Sequence, residues 1–132
     1  MSLIYLDSSA LVKLVVREPE SAALVEFLRE RPERVSSALV LAEVPRALRR
    51  GRFGATAQRR AREVLARVAL VDLDRQTLAI AAAIDPPALR TLDAIHLATA
   101  LALRSDLTGL VTYDRRLAAA AGRADLHVQT PA

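Results

Sequence analysis

Short apolar runs alternate along this chain with longer segments in which apolar side chains recur every three or four residues. The short runs predict buried strands, which we place at residues 3–6, 34–37, 69–73, 109–112 and 126–128. The longer segments predict amphipathic helices, at residues 10–16, 19–32, 37–50, 56–67, 77–84, 91–104 and 115–121. Strands that alternate with helices are typical of a parallel sheet covered on both faces. We therefore predict a three-layer α/β sandwich whose mainly parallel central sheet has four or five short strands.

Several residues at the ends of these segments suggest where the helices begin and end. Ser8 and Ser9 are candidate N-caps of the first helix, and Thr91 is a candidate cap of the helix at residues 91–104. Pro45 lies inside a predicted helix, where it removes one backbone hydrogen bond and should bend the chain. With 132 residues and no linker or repeat, the chain is expected to form one domain over residues 1–132.

Composition narrows the chemistry that is available. Hydrophobic residues make up 52% of the chain but aromatic residues only 3%, so the core must be aliphatic. The chain has no cysteine, which excludes disulfides, thiolate metal sites and cysteine nucleophiles. The apolar start lacks a preceding basic stretch, and no apolar run approaches the roughly 18 residues of a membrane helix. We expect a cytoplasmic protein that does not engage a membrane.

The charge balance points to an anionic partner. The net charge is +4, and every basic residue other than Lys13 is an arginine. Arginine suits phosphate recognition, so nucleic acid is a natural candidate. Arginines crowd residues 46–67, where three interpretations stay open: a solvated helical hairpin, a grip on the RNA backbone, and a docking surface for an acidic protein segment.

Four acidic residues stand out by their positions. Asp7 follows the first predicted strand and Asp114 follows the fourth, and ligands of parallel sheets bind at the carboxyl ends of strands. Asp93 and Glu43 lie in helices among apolar neighbours, where a carboxylate is costly unless it is paired or bound to metal. Oxygen ligands suit Mg²⁺ and Mn²⁺, and such ions can stabilise both oxygens of a phosphodiester displacement.

Each acid also has a plainer interpretation. Asp7 and Asp114 could be helix N-caps, and Asp93 could favour a helix N-terminus through the helix dipole. Glu43 could pair with Arg46 or Arg49 one turn further on. The four acids together, spread over one small α/β domain, are harder to explain in this way.

Four segments resemble conserved regions of PIN-domain toxins of the VapC type. They are YLDSSALVKL at residues 5–14, SALVLAE at residues 37–43, LRTLDAIHLATA at residues 89–100 and VTYDRRL at residues 111–117. Their order and spacing follow the family over nearly the whole chain.

This resemblance implies an endoribonuclease that depends on Mg²⁺ or Mn²⁺. It further implies the toxin of a type II toxin–antitoxin pair, with a cognate antitoxin protein and a homodimeric assembly. The residues that match the metal-site acids are Asp7, Glu43, Asp93 and Asp114. Thr112 matches the polar residue beside the last acid, whose hydroxyl could orient a carboxylate or water, and Ser8 could support the site in the same way.

His96 follows Asp93 by three residues, so both can share a helix face. Packing is the favoured interpretation of His96, because hard cations prefer oxygen ligands. An Asp-nucleophile phosphatase is disfavoured because Ser9 stands where such enzymes carry a second aspartate. Two alternatives to a toxin remain open: a housekeeping RNA-processing nuclease without an antitoxin, and a catalytically inactive nucleic-acid-binding module.

Overall fold

A five-stranded sheet runs through the centre of the computed structural model, which describes residues 2–132. Its strands lie in the order β3-β2-β1-β4-β5, and every neighbouring pair is parallel. The strands are β1 (Leu3–Leu6), β2 (Arg34–Ser37), β3 (Ala69–Val71), β4 (Leu107–Val111) and β5 (Val128–Gln129). The predicted α/β fold with a mainly parallel sheet is confirmed.

Helices cover both faces of the sheet, as its alternating side chains require. Ile4 and Leu6 of β1 face one apolar cluster, whereas Tyr5 faces the other. The first cluster is built with α1 (Ser8–Val15), α2 (Ser21–Leu28), α3 (Val40–Arg50) and α4 (Ala55–Leu65). The second is built with α5 (Arg75–Ala82), α6 (Thr91–Ala102) and α7 (Arg115–Arg123). A short 3-10 turn, Arg104–Asp106, leads into β4.

The order of the strands places a crevice at the centre of the sheet. From β1 the chain builds outward through β2 and β3, then crosses to the other side of β1 to form β4. The order reverses between β1 and β4, and such switch points are where ligands of open α/β sheets bind. Leu6 pairs with Val111, so the residues that follow β1 and β4 leave the sheet side by side.

The structure corrects three predicted boundaries. Helix α3 begins at Val40 rather than at residue 37, because Ser37 belongs to β2 and its hydroxyl accepts a hydrogen bond from the backbone N–H of Leu39. Thr91 is the first residue of α6, and its N-cap is Arg90, which makes no side-chain cap. Strand β4 begins at Leu107, earlier than predicted. The other predicted elements are present, with ends that differ by at most four residues. No helix within residues 2–132 has both the length and the apolar character needed to cross a membrane.

Candidate active site

Asp7 lies at the carboxyl end of β1 and is buried. Its Oδ1 accepts hydrogen bonds from Ser9 Oγ at 2.6 Å and from the backbone N–H of Ala10 at 3.0 Å. Its Oδ2 accepts one from Thr112 Oγ1 at 2.6 Å. Burial raises the pKa of Asp7, and these hydrogen bonds act against that shift. Asp7, rather than Ser8 or Ser9, is therefore the N-cap of α1, and capping does not remove it from the candidate site.

Thr112 joins the ends of β1 and β4. Its side chain is fully buried, donates to Asp7 and accepts from the backbone N–H of Asp114 at 3.0 Å. A second link runs from the backbone N–H of Tyr113 to Ser9 Oγ, at 2.9 Å. The hydroxyl predicted to orient a carboxylate thus contacts one directly. Ser9 makes comparable contacts, although the sequence suggested only a helix cap.

Asp114 is the N-cap of α7. Its Oδ1 accepts hydrogen bonds from the backbone N–H groups of Arg116 and Leu117, at 2.8 and 3.1 Å. Its other oxygen has no hydrogen-bond partner among the described residues. The plainer interpretation of Asp114 is correct, yet the capped carboxylate still leaves one oxygen free.

The Asp93 side chain makes no hydrogen bond or ion pair within residues 2–132 and lies half-buried in the first turn of α6. Its pKa is raised to about 6, mainly by burial and then by the negative charges of Asp114, Asp7 and Glu43. Asp93 therefore lies near enough to the other three predicted acids to be affected by their charge. Within residues 2–132, none of these four acids forms an ion pair with an arginine or a lysine.

Glu43 approaches the same crevice from α3. Its Oε1 lies 2.6 Å from His96 Nε2, and its Oε2 accepts a 3.4 Å hydrogen bond from Ser8 Oγ. The suggested pairing of Glu43 with Arg46 or Arg49 is absent from the described residues. Pro45 lies inside α3, but the helix continues beyond it to Arg50.

Two residues behind Glu43, Tyr5 and His96, were not among the predicted site residues. His96 is buried, as the packing interpretation requires, but it also binds Glu43, and its Nδ1 lies 2.7 Å from the Tyr5 hydroxyl. Burial raises the pKa of the Tyr5 hydroxyl above its ordinary value. Two spacings in the sequence could have indicated that these residues lie near the site. Asp93 and His96 are three apart on a helix, and Tyr5 and Asp7 are two apart along β1, so each pair shares a face.

The donor set is one that a hydrated hard cation prefers. No group of three or more His, Asp and Glu side chains in residues 2–132 is arranged to hold a metal ion as it stands. Asp7 and Glu43 are engaged by hydrogen bonds, whereas Asp93 and one oxygen of Asp114 are free. Mg²⁺ binds through one or two carboxylates while keeping several waters. The side chains therefore suit a partly hydrated Mg²⁺ or Mn²⁺ better than an ion enclosed by protein.

Arginines of residues 46–67 line more than one depression of the surface. Arg34, Arg59, Arg60 and Arg67 line a cavity of about 450 Å³ between α1 and α4. Arg46, Arg49 and Arg50 line a separate depression on α3. Arg34 is the first residue of β2, whereas the acids follow the carboxyl ends of strands, so the first cavity lies toward the other end of the sheet. Burial, together with the nearby charge of Arg67, lowers the pKa of Arg34.

The family profile described as PIN domain matches residues 4–123 of this sequence. The chain therefore belongs to the PIN-domain family. Over 99% of both sequences it is 52% identical to Ribonuclease VapC46 of Mycobacterium tuberculosis. It is 45% identical to Ribonuclease VapC35 of the same organism, covering 98% of this chain and 97% of that one. The VapC-type resemblance indicated by the sequence is confirmed.

Solved structures share the fold at low sequence identity. One is VapC20 of Mycobacterium tuberculosis, a toxin that cleaves the sarcin–ricin loop, with a TM-score of 0.71, 18% identity and coverage of 89% of this chain and 94% of that one. Another is VapBC2 of Rickettsia felis bound to a promoter DNA fragment, with a TM-score of 0.74, 16% identity and coverage of 98% and 99%. At these identities the similarity establishes the architecture alone.

Proposed function

We propose that this chain is a metal-dependent endoribonuclease and the toxin of a type II toxin–antitoxin pair. The relatives that cover nearly its whole length are named ribonucleases, which supports action on RNA. The observation that carries the proposal is Asp93: an unpaired carboxylate, half-buried, with a pKa raised by burial and by three further acids. Such a concentration of negative charge is unfavourable unless a cation joins it.

Some residues of the site would bind the metal ion, and others orient the carboxylates that bind it. Asp93 and Asp114 offer free oxygens, so they would hold Mg²⁺ or Mn²⁺ together with Asp7 and Glu43. A bound ion of this type supplies a Lewis acid and a nucleophilic water at neutral pH. Thr112 and the N-terminus of α1 fix the Asp7 carboxylate in one orientation. The reaction then needs no serine, cysteine or histidine nucleophile.

RNA cleavage with and without EDTA tests this function. Wild type should cut RNA in Mg²⁺ or Mn²⁺, leaving 5′-phosphate and 3′-hydroxyl ends, and EDTA should stop the reaction. Asp93→Asn removes a proposed metal ligand, so its cleavage activity should fall by more than the roughly 10-fold that loss of an outer-shell partner costs. Asp72→Asn, a control at an exposed acid, should retain activity. Products with 2′,3′-cyclic phosphate ends would exclude water as the nucleophile, and absent cleavage would favour an inactive binding module.

Metal binding should also be visible without any RNA. Mn²⁺ at roughly 100 times its dissociation constant should stabilise wild type by about 2.7 kcal/mol. Asp93→Asn should gain much less, whereas Asp72→Asn should gain as much as wild type. Thermal unfolding with and without EDTA measures the difference, and equal gains for all three proteins would remove Asp93 from the metal site.

An antitoxin partner follows from the toxin assignment. Its support is the VapBC2 assembly among the structural neighbours and the excess of arginine on this chain. An acidic segment of the partner would meet the arginines, and one of its basic side chains would enter among the four acids. Ion pairs at an exposed rim speed association and weaken with salt. Co-expression with the adjacent open reading frame should give an inactive complex that regains activity when the partner is removed.

The housekeeping alternative predicts a different outcome in the same experiment. A chain that binds no neighbouring product, and is harmless at high expression while still cutting RNA, would be a processing nuclease. The proposed homodimer is checked by sedimentation of the purified chain, which has a mass of 14.3 kDa as a monomer.

A further inference from the structure

A hydrogen-bonded chain of three side chains runs from the core to the candidate site. Tyr5 is fully buried in β1, and its hydroxyl lies 2.7 Å from His96 Nδ1. The opposite nitrogen of that ring lies 2.6 Å from Glu43 Oε1. His96 is 1% exposed and Glu43 is 15% exposed, so the chain passes from the interior to the solvent side of the site.

The partners determine which atoms donate. An ionised carboxylate can only accept, so His96 Nε2 carries a proton and donates it to Glu43. In the tautomer with its one proton on Nε2, Nδ1 is an acceptor and the Tyr5 hydroxyl donates to it. In this arrangement the Tyr5 hydroxyl, both ring nitrogens of His96 and both oxygens of Glu43 have hydrogen-bond partners, as buried groups require.

The chain also connects the layers of the fold. Tyr5 belongs to the central strand, His96 to α6 on one face of the sheet, and Glu43 to α3 on the other. The backbone of α3 near Glu43 is less restrained than that of an ordinary helix, because Pro45 lacks the N–H that would bond to the carbonyl of Leu41. The contacts of the Glu43 side chain with His96 and Ser8 therefore add a restraint where the helix has lost one backbone hydrogen bond.

We propose that Tyr5 and His96 are positioning residues that hold Glu43 Oε1 and so present only Oε2, next to Ser8, to the metal site. This inference rests on the proposed function, because it assigns the residues a role toward the bound ion. Outer-shell partners of this kind fix the orientation of a ligand, and their loss weakens metal binding or activity by about 10- to 100-fold. Glu43 then contributes a single oxygen ligand.

The test compares variants that keep or remove the donor to Glu43. His96→Leu removes it, whereas His96→Gln offers an amide N–H in a comparable place. Mn²⁺ affinity, measured by calorimetry on the full chain, should fall about 10- to 100-fold in His96→Leu and recover largely in His96→Gln. Tyr5→Phe, which removes one hydroxyl and keeps the ring, should fall less than His96→Leu. In RNA cleavage these losses should appear in kcat with KM nearly unchanged, and His127→Gln, at an exposed histidine, should match wild type throughout.

Two further measurements separate positioning from folding. Thermal unfolding in EDTA shows whether each variant is folded at the assay temperature. The ¹⁵N signals of the His96 ring should show the proton on Nε2 in wild type and a changed Nδ1 signal in Tyr5→Phe. Wild-type Mn²⁺ affinity in folded His96→Leu and Tyr5→Phe would overturn the inference, as would a His96→Gln variant as weak as His96→Leu. If wild type itself neither binds Mn²⁺ nor cuts RNA, the proposed function fails instead.

Discussion

Asp93→Asn should stabilise the metal-free protein, although it removes a carboxylate from a predicted active site. The substitution keeps the shape of the side chain and removes its charge. Asp93 makes no hydrogen bond or ion pair within residues 2–132 that the amide could fail to replace. The substitution removes the cost of burying a charge and the repulsion of Asp93 by Asp114, Asp7 and Glu43.

The size of the effect follows from the pKa. A rise from 3.8 to about 6 is roughly two pKa units, or about 3 kcal/mol at about 1.4 kcal/mol per unit. The Asp93 side chain is partly exposed to water, and solvent screening reduces this figure to about 1–2 kcal/mol. For 132 residues that is a rise in Tm of about 4–7 °C.

The pH dependence of stability tests whether Asp93→Asn is stabilising for this reason. The folded state binds the Asp93 proton more tightly than the unfolded state does, so this group's contribution to stability falls as pH rises from about 4 to about 6. The advantage of Asp93→Asn over wild type should therefore be largest above pH 6 and shrink to about half by pH 5. Denaturation in EDTA at pH 7.5 and pH 5 measures both values, with Asp72→Asn as the exposed control. A variant that unfolds below wild type at pH 7.5 would mean that Asp93 is a structural residue.

Three further predictions concern the stability of the metal-free protein. Thr112→Val should cost about 1–3 kcal/mol, because it leaves a buried oxygen of Asp7 without its donor. Thr108→Val, at an exposed hydroxyl, should change stability by less than about 0.5 kcal/mol in the same urea titration. Gly109→Ala should cost about 1–3 kcal/mol, since its Cβ would lie 3.1 Å from a backbone oxygen beside β5. Gly122→Ala, which meets open space in α7, should instead stabilise by about 0.5–1 kcal/mol, and a loss there would show that its helix is strained.

The central strands and the placement of two acids near strand ends were predictable because their signals are local. The bounds of β1 follow from an apolar run that Asp7 ends, and Asp114 lies three residues after β4. The predicted start of α3 at Ser37 was wrong because a serine can begin a helix or end a strand with equal ease. Only the pairing with β3, which buries Ser37, decides between the two.

The contacts behind the site were not predictable, because they join distant parts of the chain. Tyr5 and His96 are 91 positions apart, and His96 and Glu43 are 53 apart. A histidine on an apolar helix face usually signals packing, and nothing in its neighbourhood shows that a glutamate from another layer will reach it. The same holds for Ser9, whose contact with Tyr113 spans 104 positions.

The link between Asp7 and Thr112 has a consequence for how the protein is made. The two residues are 105 positions apart, and β1 gains its neighbour β4 only after most of the chain has been synthesised. A growing chain carries Asp7 and Glu43 long before the segment that aligns them with Asp114 exists. Because the strand that brings Asp114 beside Asp7 is made late, we expect the four acids to come together only after most of the chain has been synthesised, and we expect no RNA cleavage by a chain that lacks this segment.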